Sequence, residues 1–468
     1  MRLEMNSSAP ARQHGAGDIS HWVFLIGRLM LSYILKVVRH NTQRNKVLTA
    51  LMVLAIAVGI GASMTTLTVM RLLSGDPLPG RSQNIYYAQI DVNPQSKGKE
   101  PPDVLDYQTA VDLWKAGQAD QQILVAGSKA KVRPADASLP AQMLSLRATT
   151  ADFFSMFDVP FHFGQAWSAA DDTGRTRVAV ISASLNEKLF GGANSVGKVI
   201  RVANADVKIV GVLAAWRPAP LFYAVRGGRF SGGDTSSFYR QPDDVFMPFF
   251  TSLEVNGGNF QPFNCWAKRD QLENLERAPC TWIGLWVRLD DPAKVAAYKR
   301  FLDNSASQLK EQGRVRYAEN TRLRTLGEWL DFNLVVPADV KLQTVLAFAF
   351  LAICLINVVA LLLAKFLRHS PEIGLRRALG ATRGAIFAQC LAEAACIGLL
   401  GGVTGLLLTL FGLYLVRQQP VSYVDLAYLD VPMFCMTFAL SVAVSLLAGI
   451  IPALRATLIQ PAVQLNQL

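Results

Sequence analysis

VLTALMVLAIAVGIGASMTTLTVM, residues 47–70, carries no charged side chain and no proline. As a helix it exceeds the roughly 20 residues needed to cross the apolar core of a bilayer. Three further runs share this character: 342–364 has no charge, 384–416 has Glu393 alone, and 431–454 has none. The whole chain of 468 residues is 51% hydrophobic and 17% charged, against about 25% charge in soluble domains. Such a balance excludes intrinsic disorder, and 34 glycines without a repeat exclude collagen. It predicts a membrane protein that also carries one large domain outside the bilayer.

The net charge of +11 is unevenly placed. Residues 1–46 hold seven Lys and Arg against two acids, and residues 365–383 hold five against Glu372 alone. The long stretch 47–364 is close to balance, with 32 against 29. Positive charge therefore gathers beside the apolar runs, as the positive-inside rule describes, and nucleic acid is not the expected partner. This pattern puts residues 1–46, the 365–383 loop and the C-terminal tail in the cytoplasm, and the stretch between spans one and two in the periplasm of a bacterial inner membrane.

The expected order is a disordered tail (1–20), an interfacial amphipathic helix (21–46), transmembrane helix one (47–73) and a periplasmic domain (74–336). Transmembrane helix two (337–367), a cytoplasmic helix (368–382), helices three (383–417) and four (430–456), and a cytoplasmic tail (457–468) follow. The interfacial helix rests on Arg28, Ser32, Lys36, Arg39 and Gln43, which recur at steps of three and four and make one polar stripe. The first span is too long for a signal-peptide core, so no cleavage is expected.

In the large domain, strands are expected at Ile85–Val92, Ile123–Val132, Gln142–Arg147, Arg177–Ile181, Lys198–Val202, Val207–Leu213 and Trp282–Leu289. Helices are expected at Asp103–Lys115, Ser184–Phe190 and from Asp291 and Pro292 onward. Their irregular alternation predicts an α+β fold. Phe161–Gly174 reads as turn-rich. The Gly-, Pro- and aromatic-rich stretch 217–263 reads as a long external loop or insertion.

Several motifs look like chemistry and do not carry it. Gly192-Ala-Asn-Ser-Val-Gly197-Lys198 matches the start of a phosphate-binding loop, but Val199 stands where Ser or Thr must hold Mg²⁺, and the flanking helix-then-strand order is reversed. The single Arg226-Gly-Gly-Arg229 element reads as a flexible loop. The five histidines, at 14, 21, 40, 162 and 369, have no metal-ligand spacing. Neither a catalytic site nor a metal site is expected. Cys265 and Cys280 alone fall outside the membrane, where an oxidising compartment favours a disulfide between them. Cys354, Cys390, Cys396 and Cys435 sit in spans as small apolar residues.

Between spans two and three the chain reads Arg368-His-Ser-Pro-Glu-Ile-Gly-Leu-Arg-Arg-Ala-Leu-Gly-Ala-Thr-Arg383. Ser370 is a fitting N-cap with Pro371 first in the helix, Glu372 suits the dipole, and Gly380 suits a left-handed stop. The residues alone leave two readings of this short helix equal: a connector resting on lipid headgroups, with Arg376 and Arg377 on phosphate, or a docking element. In span three, Ala394, Gly398 and Gly402, and likewise Gly401 and Gly405, follow the small-xxx-small spacing that lets helices approach closely, within the chain or between two copies. Glu393 is an intramembrane carboxylate, either functional or hydrogen-bonded to a neighbouring helix.

The stretch PEIGLRRALGATRGAIFAQCLAEAACIGLLGGVTG (371–405) resembles the signature of MacB/FtsX-type ABC transporter permeases. The ending IPALRATLIQPAVQLNQL (451–468) is similar to the C-terminus of that family. VPFHFGQAW (159–167), RVAVISASLNEKLFGGANSVGKVIRV (177–202) and VKIVGVL (207–213) resemble its MacB-like periplasmic domain. The resemblance implies that the loop helix couples to an ATPase through Glu372, Ile373, Leu375, Arg376, Arg377, Ala378 and Leu379. It also implies that this chain is a non-catalytic subunit holding no cofactor; since MacB carries its own ATPase and this sequence has no complete phosphate-binding loop, ATP and Mg²⁺ are expected on a separate ATPase dimer. A second permease copy, identical or paralogous, is a further implied partner, and such systems often add a periplasmic adaptor and an outer-membrane channel. The implied activity is export by mechanotransmission. Lipoprotein extraction from the inner membrane, and a scaffold regulating a periplasmic enzyme or sensor, are the alternatives. Asn357 and the long 217–263 stretch depart from the family pattern, so substrate identity does not carry over.

Overall fold

The computed structural model of this chain describes residues 46–134, 140–266, 276–419 and 427–458. The expected tail at 1–20, the interfacial helix at 21–46 apart from Lys46, and the last ten residues lie outside that set. The chain divides into two compact units, one of span helices and one formed mainly by residues 70–341.

Among the described residues of the span unit, four helices, Lys46–Ser74, Ala338–Arg368, Arg383–Arg417 and Val431–Thr457, are long and apolar enough to cross a bilayer. Their polarity is arranged opposite to that of a soluble bundle. Ser63, Thr409, Thr437, Ser441 and Ser445 are buried, while Leu54, Leu346, Ile356, Leu407, Phe411 and Leu447 are exposed. In lipid an outward leucine is solvated by acyl chains, so small and hydroxylated residues at the helix contacts supply packing and hydrogen bonds. The Ser63 hydroxyl, for example, donates to the Ala347 carbonyl at 3.0 Å and ties the first helix to the second.

The large domain is built on a ten-stranded mixed sheet. Its strands are β1 (Ile85–Ile90), β2 (Gln121–Arg133), β3 (Gln142–Thr149), β4 (Phe161–Gly164), β5 (Val178–Ile181), β6 (Val199–Val202), β7 (Ala205–Leu213) and β8 (Val245–Pro248), with β11 (Gly284–Arg288) and β12 (Thr321–Thr325). The order is β12-β1-β11-β2-β3-β8-β5-β7-β4, with β6 bridging β2 and β7. Among the described strands, only β3–β8 and β5–β7 run parallel. A separate two-residue ladder pairs β9 (Asn264–Cys265) with β10 (Cys280–Thr281). The sheet is covered by helices that include Tyr107–Lys115, Ala183–Phe190 and Pro292–Glu311. Buried Trp282 belongs to the core that these helices share with the sheet, whereas buried Trp286 and Trp329 pack against Tyr87.

Four expectations need correction. Asp106 rather than Asp103 opens the first helix of this domain: its carboxylate accepts from the Thr109 amide at 3.1 Å, so helix begins only at Tyr107. The turn-rich Phe161–Gly174 contains edge strand β4 and a short helix, Ala169–Thr173, started by a Ser168–Asp171 capping box. Trp282–Leu289 shortens to Gly284–Arg288 as a ladder strand. The stretch 217–263 is not simply a loop. Val245–Pro248 is a fully buried strand between β3 and β5, and Phe249–Asn256 is a helix. A short apolar run has no alternation to reveal a strand buried on both faces.

Cys265 and Cys280 stand directly opposite each other in the β9–β10 ladder and are joined as a disulfide. The bond closes a loop between residues 15 apart, for which chain entropy gives about 3 kcal/mol of stabilisation. Thiol labelling of the unfolded, unreduced protein should therefore modify four of its six cysteines. Cys265→Ser with Cys280→Ser should lower unfolding stability by about 2–4 kcal/mol, and six reactive thiols in the parent protein would contradict the pairing.

Candidate functional site

The helix between the second and third spans runs from Ser370 to Ala378, with His369 rather than Ser370 at its N-cap position. Its end is a Schellman stop. The Ala381 amide donates to the Arg376 carbonyl at 3.0 Å, and the Gly380 amide donates to the Arg377 carbonyl at 3.1 Å. Gly380 supplies the positive φ of 100° that this closure needs. Thr382 then caps the third span, its hydroxyl accepting from the Ala385 amide at 3.2 Å. Cap follows stop within three residues, so the helix cannot drift along the chain.

This helix divides its side chains between two faces. Ile373 and Gly374 are buried against the span unit. The Arg376 guanidinium donates to Gln389 Oε1 at 2.9 Å on the third span helix, and Arg377 donates to the Thr457 carbonyl at 3.3 Å at the end of the fourth. Glu372 lies 3.5 Å from His369 Nδ1. The opposite face carries Leu375, Ala378 and Leu379, with Leu375 53% and Leu379 79% exposed. The seven residues named from sequence thus separate into an anchoring set, Ile373, Arg376 and Arg377, and an outward apolar set, Leu375, Ala378 and Leu379, with Glu372 between them.

Beneath the helix, Lys365 Nζ lies 2.5 Å from Glu393 Oε1, with both side chains almost wholly buried. The contact is an ion pair rather than an aligned hydrogen bond; Thr49 Oγ1 approaches the same ammonium at 3.5 Å. Three span helices therefore converge on one buried charge pair. Two opposite charges in a medium of low dielectric hold each other strongly, and either alone would be costly. Glu393 alone was visible in the sequence as an intramembrane acid. Its partner was not, because Lys365 reads as the basic flank of span two. The cleft bordered by Glu372, Arg376, Gln389 and Glu393 measures only about 20 Å³, room for about one water. Among the described residues no group of His, Cys, Asp and Glu is placed to hold a metal ion.

The small residues of the third span each meet a different neighbour. A Cβ at Gly398 would overlap Ser445, and one at Gly402 would overlap Ser441. The Ser441 hydroxyl donates to the Gly398 carbonyl at 2.7 Å. Ala394 faces Gly449 of the fourth helix. Gly401 and Gly405 face the first helix instead, where their Cβ atoms would come within 2.6 Å of Ile56 and 3.1 Å of Ile60. One helix thus presents two smooth faces, each pressed against a span of the same chain.

The MacB-like periplasmic core domain family matches residues 49–304, and the FtsX-like permease C-terminal family matches residues 344–461. The chain belongs to the MacB/FtsX family of ABC transporter permeases. It is 24% identical over 424 residues to the pyoverdine export ATP-binding/permease protein PvdT of Pseudomonas aeruginosa, covering 89% of this chain and 56% of that protein. It is also 24% identical over 430 residues to PvdT of Pseudomonas fluorescens, covering 90% and 57% respectively. The permease therefore spans little more than half the length of the curated relatives it matches. Among solved structures it is similar to the periplasmic region of MacB from Actinobacillus actinomycetemcomitans, with TM-score 0.35, 12% identity, and coverage of 55% of this chain and 94% of that one. Likewise, the extracellular domain of the noncanonic ABC-type transporter YknZ from Gram-positive bacteria gives TM-score 0.33 and 14% identity, covering 51% and 99%.

In the permease the ion pair and the glycine contacts call for separate tests. Lys365→Met strands a buried carboxylate and should cost about 3–5 kcal/mol in detergent unfolding, whereas Lys365→Met with Glu393→Met should recover most of it. Gly398→Ala should cost about 1–3 kcal/mol through overpacking against Ser445. A double variant as unstable as the single one would show that Lys365 and Glu393 do not act as a pair.

Proposed function

We propose that this permease is the membrane subunit of an ABC exporter, coupling ATP hydrolysis on a separate chain to movement of its periplasmic domain. The observation that carries this reading is the split helix at 370–378. One face is fastened to the spans through Ile373, Arg376 and Arg377, and the other offers Leu375, Ala378 and Leu379 outward. A partner gripping the outward face would move the ends of spans three and four directly. The name of the PvdT relatives supports export as the direction. A dimer of ATPases with a second permease copy would supply two such contacts. ATP and Mg²⁺ would reside on the ATPase.

Charge supports one orientation. The basic residues gathered at 1–46 and 365–383 favour a cytoplasmic side for these segments and, with them, for the C-terminus. A reporter fused after Arg383 should read as cytoplasmic and one inserted within 230–235 as periplasmic; both on one side would overturn this arrangement.

Leu375→Asp or Leu379→Asp would put a carboxylate into an apolar contact, at a cost of several kcal/mol. Since about 1.4 kcal/mol is a tenfold change in affinity, the complex should largely dissociate. Either variant should still insert and keep its disulfide, yet no longer co-purify with its ATPase from native membranes. Undiminished co-purification would refute the docking role and favour a helix that rests on headgroups.

A further inference from the structure

The large domain holds a second feature, unconnected with ATPase coupling: a cavity of about 780 Å³. That is within the range of sites for drug-sized ligands. Half of its lining residues come from the 217–263 stretch, among them Tyr223, Arg226, Phe238 and Arg240. The facing wall comes from β2 and β3, which contribute Lys129 and Arg147.

Charge around this space is one-sided. Lys129, Arg147, Arg226 and Arg240 line it, and Asp243 is the one carboxylate among the lining residues. Asp243 is already shared: Arg147 Nε donates to its Oδ2 at 2.8 Å, and Arg240 Nη2 donates to its Oδ1 at 2.9 Å. The nearby Asp103 is committed as well, pairing with Arg229 at 2.6 Å and accepting from the Gly227 amide. Arg226 is left over. Among the described residues it makes no direct hydrogen bond or close ion pair; its guanidinium lies over the Phe263 ring, 5.8 Å from the centroid, and Asp103 and Tyr87 act on it only through the longer-range field. Burial and the Arg147 charge pull its pKa down from the ordinary value against the opposing pull of Tyr87 and Asp103, yet a guanidinium stays charged in a protein. Nearby, the Tyr223 hydroxyl is buried, and its proton has no acceptor among the described residues.

A buried cation and a buried hydroxyl donor, both unmatched beside an open space, are costly unless something accepts from them. Guanidinium geometry suits a bidentate oxyanion. Tyr87, Tyr223 and Phe238 add aromatic wall around it. We propose that this cavity binds an organic anion, a carboxylate or comparable oxyanion on a partly apolar body, with Arg226 as its counter-charge and Tyr223 as a second donor.

The test uses the full chain in detergent without an ATPase, so its outcome is separate from that of the export reading. Isophthalate serves as the probe, and isophthalamide, of the same shape but uncharged, as its comparator. Calorimetric titration should show saturable binding of isophthalate alone. Arg226→Gln should weaken it by about tenfold or more, as expected for loss of a hydrogen bond to a charged group. Arg201→Gln, an exposed cation on β6 away from the cavity, should leave it unchanged. Tyr223→Phe keeps the ring and removes only the hydroxyl, so it tests the same wall if Arg226→Gln does not fold. Absence of saturable isophthalate binding, equal binding of isophthalamide, or wild-type affinity in both Arg226→Gln and Tyr223→Phe would overturn the proposal.

Discussion

The span unit depends on one helix having almost no side chain where others need to pass. Gly398 and Gly402 leave room for Ser445 and Ser441, while Gly401 and Gly405 leave room for Ile56 and Ile60. Within lipid there is no hydrophobic force to draw helices together, so backbone proximity and the hydrogen bonds it permits must do so. The Ser441 bond to the Gly398 carbonyl forms only because the backbone at 398 is bare. With the third helix held on two sides, Glu393 is carried to Lys365, and the helix at 370–378 is set against the ends of spans three and four.

The buried ion pair then constrains what this packing can do. Replacing such a pair with apolar residues is often neutral or stabilising, so stability alone does not account for it. Its consequence is register. Sliding the third helix by one turn, about 5.4 Å, would part the two charges and leave both unpaired in an apolar surrounding. Small tilts that keep Lys365 and Glu393 in contact remain accessible. A unit built this way resists sliding more than rocking, which is what the proposed coupling would require.

The spans and the stop between them were legible because their signals are local: charge-free runs, and glycine followed by threonine at 380 and 382. Within the large domain, β2, β3 and the helix Ala183–Phe190 were legible for the same reason, since alternation and a serine cap announce them. What escaped was non-local. β8 lacks alternation because neighbours cover it on both sides. The edge strand β12, TRLRT, is missing from the expected strands because its arginines, half-buried beside Glu100 and Gln89, leave no apolar alternation. Lys365 and Glu393 stand on different helices, and the cavity collects arginines from β3 and from two parts of the 217–263 stretch. Such pairings depend on topology, which periodicity does not encode.

Magnitudes also bear on how the loop helix would hold an ATPase. Burying Leu375 and Leu379 fully would contribute about 3–6 kcal/mol together. Association consumes at least about 4 kcal/mol in lost translational and rotational freedom. A single helix on these two anchors therefore sits near the break-even point, and a stable complex needs more than one such contact. Two copies of the permease facing an ATPase dimer would make the second docking intramolecular, at an effective concentration near millimolar. Weak single contacts joined in a pair can also release and re-engage at either end, whereas one tight contact would lock the ATPase to a single state of the spans. The modest apolar face at Leu375, Ala378 and Leu379 thus suits a twofold assembly better than a one-to-one complex.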